Sequence, residues 1–63
     1  MESVYELFQN GTRLLERGDF HAATVPLSRA RDLAPDKMSI REALGRALLR
    51  SARYRDQALR RAA

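Results

Sequence analysis

The chain has no cysteine and no tryptophan, one histidine and one lysine, and only three glycines and two prolines. Without cysteine there is no disulfide to staple a small core, no thiolate metal site and no thiol nucleophile, a usage that suits a reducing compartment such as the cytoplasm. No apolar run approaches the ~20 residues needed to cross a bilayer, and the opening Met1-Glu2-Ser3 lacks the basic-then-apolar order of a secretory signal. The expectation is a soluble, cytoplasmic chain with no membrane partner. A glycine-rich phosphate loop is absent too. His21 has no nucleophile, carboxylate or further metal ligand at a spacing that suggests chemistry. The eight carboxylates are accounted for mainly by capping and surface roles. No catalytic residue, metal ligand or cofactor is therefore expected, and the chain reads as a non-enzyme.

What is abundant is alanine, leucine, arginine and glutamate, residues that lose little on entering a helix. The fold class this predicts is all-α. Sixty-three residues form one small domain, and a chain of that size buries only about 60% of its unfolded surface, so its core is thin. The net charge of +4 is unevenly spread. Residues 1–36 hold four Arg against six acids, a net −2, whereas residues 37–63 hold eight Lys or Arg against two acids, a net +6. Such opposed halves favour an acidic partner, a nucleic acid or contact between copies.

Val4, Leu7, Phe8, Gly11, Leu14 and Leu15 recur at helical spacing and predict an amphipathic helix over Val4 to Arg17. Ser3 with Glu6 has the spacing of a capping box at its start, and Gly18 suits the left-handed residue at its end. Asp19 is placed to cap a second helix with Phe20, Ala23, Leu27, Ala30 and Leu33 inward, ended by Pro35. Within it Pro26 cannot donate to the carbonyl of Ala22, which predicts a kink. Ser39 and Glu42 repeat the capping-box spacing ahead of a third helix over Ile40 to Ser51. After Ala52-Arg53-Tyr54, residues Asp56 to Ala63 are compatible with a short fourth helix.

An offset of 34 residues pairs Gly11 with Gly45, Leu14 with Leu48, Leu15 with Leu49 and Phe20 with Tyr54. The order Leu7, Gly11, Leu14, Gly18-Asp19-Phe20, Ala23, Leu27, Ala30, Pro35 resembles the tetratricopeptide repeat. Met38, Leu44, Gly45, Leu48 and Tyr54 continue it into a divergent or truncated second copy, in which Gln57 and Arg61 replace Ala23 and Leu27. The resemblance implies antiparallel helix-turn-helix hairpins, three to four helices in all, with residues 1–37 as the first repeat and 38–63 as the second.

It also implies a non-catalytic protein-interaction scaffold whose ligand, a protein or peptide, lies along the first helix of each repeat. That surface would carry Tyr5, Phe8, Thr12, Leu15 and Glu16, then Ser39, Glu42, Arg46, Leu49 and Arg50. Tyr5 and Phe8 beside Leu15 and Leu49 would make the apolar strip of such a groove. The clamp with which some members of that family grip a chaperone's terminal carboxylate is disfavoured, because Phe8, Thr12, Glu42 and Arg46 stand at the comparable places. Fewer than two repeats leave apolar surface uncovered, so a homo-oligomer is expected, a dimer in preference, through Leu44, Leu48, Tyr54 and Leu59. Arg41, Arg46, Arg50, Arg53, Arg55, Arg60 and Arg61 motivate the rival reading, a basic helical nucleic-acid-binding protein. Nucleic acid ranks below protein as a partner, since the repeat already explains the hairpin.

Overall fold

A computed structural model describes residues 3–62, and they form three helices: α1 (Val4–Glu16), α2 (Phe20–Leu33) and α3 (Met38–Ala62). Among the described residues there is no strand, so the fold is all-α. Ser3 caps α1 as its spacing predicts, its hydroxyl accepting from the Glu6 amide at 3.1 Å. At the other end Gly18 takes φ +84°, the Gly18 amide donates to the Leu15 carbonyl at 3.1 Å and the Asp19 amide to the Leu14 carbonyl at 2.9 Å. This pair of bonds around a left-handed glycine satisfies carbonyls that the helix end would otherwise orphan.

Asp19 occupies the cap position of α2 without a side-chain capping bond; its carboxylate lies 3.7 Å from the Arg17 guanidinium instead. The helix runs on through Pro26 as one element. It ends at Ala34, whose backbone (φ −141°, ψ 71°) has left the helical region that the following proline disfavours for its neighbour. Leu33, expected to face inward, is exposed. At about 100° per residue it falls roughly a quarter turn away from the row of Ala23, Leu27 and Ala30 that α2 buries.

Two expectations about the C-terminal half are corrected. Ser39 lies inside the first turn of α3 rather than before it, and the Lys37 carbonyl takes the first helical bond, from the Arg41 amide at 3.2 Å. There is also no fourth helix, because α3 continues unbroken from Met38 to Ala62. The offset of 34 explains why: Ala52 and Arg53 stand where Gly18 and Asp19 turn the first hairpin. An alanine there favours helix and resists the left-handed conformation, so nothing stops the propagating backbone.

The core is narrow and apolar throughout. Ala23 and Leu27 of α2 meet Ala43, Leu44 and Ala47 of α3, while Leu7, Ala30 and Ile40 form a second cluster. Phe8 packs against both and joins them. At Gly11 α2 packs tightly on α1: a Cβ built there would fall inside the Leu27 side chain. Burial fades along α3, and from Ala52 to Arg61 every described side chain is exposed.

Candidate functional site

α3 presents three kinds of surface around its circumference. Ile40, Ala43, Leu44 and Ala47 are buried on the side that faces the hairpin. At about 100° per residue, Gly45, Leu48, Ala52 and Leu59 share a second side, and all four are exposed. Arg46, Arg50, Arg53 and Arg60 share a third. Each side covers roughly a third of the helix; Arg41 and Arg55 also fall on the second side, so it is mixed, and the third side is the more uniformly basic.

The residues expected to line a groove are placed in two ways. Tyr5, Glu16, Glu42, Arg46, Leu49 and Arg50 are exposed, and Leu49 is 54% accessible. Phe8, Thr12 and Leu15 are half-buried. Phe8 and Leu15 lean on the cluster that contains Ala43, Leu44 and Ala47, which brings the α1 patch toward the α3 patch but commits part of each side chain to the core. The Tyr5 hydroxyl accepts from the Gln9 amide nitrogen at 2.9 Å, and the Thr12 hydroxyl donates to the Gln9 carbonyl at 3.0 Å.

Of the residues expected to drive self-association, Leu48, Tyr54 and Leu59 are exposed at 53%, 70% and 64%. Leu44 is not available. It is 4% accessible because α2 covers it through Ala23 and Leu27.

Polar side chains offer little chemistry. His21 is exposed, with its Nδ1 3.4 Å from the Ser51 hydroxyl. These two residues, with Gly18, Phe20 and Tyr54, border an open depression of about 450 Å³ where the α1–α2 turn meets α3. The Arg50 guanidinium sits 5.4 Å from the centre of the Phe20 ring, a cation–π contact over its face. Among the described residues no group of three or more histidines and carboxylates could hold a metal ion. Likewise, no helix is long and apolar enough to cross a membrane.

Gly45 was readable as a repeat position but not as a surface feature. Its partner at the offset, Gly11, is filled by Leu27, whereas Gly45 has nothing within 4 Å. That difference depends on whether a second hairpin forms, and the absence of a glycine at position 52 is the signal that it does not. Comparison of the chain with protein-family models, with curated proteins and with solved structures finds no match.

Proposed function

We propose that this chain is a non-catalytic protein-interaction scaffold of tetratricopeptide-repeat type that works in the cytoplasm and associates with itself through α3. One observation carries the reading. Leu48 and Leu59 are more than half exposed on a helix that buries an adjacent side in the core of the molecule. Exposed leucines aligned along one side of a helix favour a protein partner over bulk water. A protein or peptide ligand would use Tyr5, Leu15 and Leu49 as apolar contacts, with Glu42, Arg46 and Arg50 as a polar rim. Sedimentation across two decades of concentration tests the self-association. We expect the mass to rise toward that of a dimer, and a chain that remains monomeric at high micromolar concentration would contradict the proposal.

A second reading, binding of nucleic acid, is favoured by the alignment of Arg46, Arg50, Arg53 and Arg60 on one side of α3. It ranks lower because the repeat pattern accounts for the hairpin without it and the arginines of α3 also fall on its other sides. Within the row, Arg60 pairs with Asp56 at 3.2 Å and Arg50 stacks on Phe20, and both keep their charge.

A further inference from the structure

The molecule contains a worked example of how it packs one helix on another. In the first hairpin Leu27 of α2 fills the notch that Gly11 leaves in α1. Thirty-four residues later, Gly45 offers an equivalent notch on α3 with nothing in it. Resting on the self-association reading above, we infer that the notch is filled by Leu59 of a second copy, with the two α3 helices packed antiparallel about a twofold axis through Ala52.

The sequence spacing requires this register. Gly45 lies seven residues before Ala52 and Leu59 seven residues after it. Seven residues is close to two helical turns, so all three fall on one side of the helix. An antiparallel pair centred on Ala52 therefore sets Leu59 of each copy against Gly45 of the other. The smallest side chain available lies on the axis, where two identical residues must meet. A parallel pair fails on shape, because it would set Leu59 against Leu59 and leave the two Gly45 notches facing each other. It would also align the two helix dipoles, which the antiparallel arrangement opposes.

Charge supports the same register. In an antiparallel pair, residues on one flank of the first helix meet residues on the same flank of the second. Glu42 lies ten residues before Ala52 and Arg60 eight after, and both sit on the same flank. Glu42 of each copy thus comes level with Arg60 of the other to within about 3 Å along the axis, where Arg60 can pair with it in place of, or together with, its exposed partner Asp56 one turn away. Glu42 has no ion pair within its own chain among the described residues. The basic row of Arg46, Arg50 and Arg53 points away from this contact and stays in solvent, while Arg41 lies toward its end and Arg55 on its other flank.

Surface area supports it as well. The chain exposes 4999 Å², while a compact monomer of its mass exposes only about 4,100 Å². The excess of roughly 900 Å² is comparable with the ~800 Å² that each partner contributes to a standard protein interface.

Because the chain has no cysteine, single-cysteine variants report contacts between copies without background. Ala52→Cys is expected to give a disulfide-linked dimer under oxidised glutathione, whereas Arg53→Cys, one residue away but on the basic side, is not. Gly45→Leu is expected to raise the dimer dissociation constant at least tenfold while leaving the circular-dichroism helix signal unchanged or stronger, since the position is open. Equal cross-linking of the two cysteine variants would overturn the inferred register. Dimerisation of Gly45→Leu as tight as the parent would overturn the notch, yet leave self-association by another face standing. A parent chain that sediments as a monomer throughout would overturn both.

Discussion

Gly11 and Gly45 are the same residue at equivalent repeat positions, yet their surroundings give substitution opposite signs. At Gly11 an added methyl must displace Leu27, which is 0% accessible and has no room to move. Gly11→Ala is therefore expected to destabilise the fold by ~1 to 3 kcal/mol, the range for overpacking a filled site. Gly45→Ala meets nothing and removes a flexible residue from a helix interior, so it should stabilise dilute protein by about 0.5 to 1 kcal/mol. Urea denaturation of the two variants side by side measures both. A parallel contrast separates Phe8 from Tyr5. Phe8 touches both core clusters, and Phe8→Ala should cost roughly 2 to 3 kcal/mol, less than the ~3 to 5 of a fully buried phenylalanine. Tyr5→Ala should cost under about 0.5 kcal/mol, since Tyr5 stands in solvent and bonds only to Gln9. A large loss at Tyr5 would place it in the core and remove it from the groove. At this scale the sequence was largely legible: the cap at Ser3, the turn at Gly18 and the buried row of Ala23, Leu27 and Ala30 all follow from residue type and spacing. Leu33 was not, because its inward placement assumed a wider buried stripe than α3 covers.

Among the elements, α3 is the one that departs from its local expectation. The first two helices end where a glycine or a proline ends them, and periodicity located both within a residue. The third has neither signal in its interior after Gly45, and a break was expected at Ala52-Arg53-Tyr54 only because the first repeat turns there. Local backbone preference outweighed the analogy. The final segment is nevertheless held by little beyond its own hydrogen bonds and the Asp56–Arg60 pair, and isolated helices of that length are marginal in water. Amide exchange should accordingly be slow for residues 43–50, over the core, and fast for residues 55–61 in dilute protein. At high concentration the second group should slow if a second copy covers Leu59. Protection of 55–61 that is already core-like at low concentration would mean that something within the chain holds the segment. The arginine row on this helix yields its own expectation. The repeat already explains the hairpin without a nucleic-acid role, so we expect no micromolar affinity for single- or double-stranded oligonucleotides at ~0.15 M salt. Binding of that strength, falling steeply as salt rises, would promote the nucleic-acid reading over the scaffold.

Taken as one body, the chain is long for its mass. Its dimensions are 42 × 19 × 16 Å, and the radius of gyration is 12.5 Å against about 10.6 Å for a compact chain of this length. The extra length is the uncovered end of α3, where the chain spends residues without adding buried surface. Ordering a residue costs ~1 to 2 kcal/mol of backbone entropy, so a segment with no tertiary cover subtracts from stability unless a partner repays it. If that partner is a second copy, stability must depend on concentration, because anything that binds only the folded chain stabilises it by mass action. A tenfold rise in concentration is worth up to about 1.4 kcal/mol per dimer, or roughly 0.7 kcal/mol per chain. At about 4 to 8 °C per kcal/mol for a domain of this size, the thermal midpoint should climb by ~3 to 6 °C for each decade of concentration. The Gly45→Leu variant should show a flat midpoint over the same range, since it keeps the fold and loses the contact. A midpoint that stays fixed for the parent chain from low to high micromolar would show that the hairpin core and a solvent-exposed α3 suffice alone, and would remove the dimer from the account of how this small molecule stays folded.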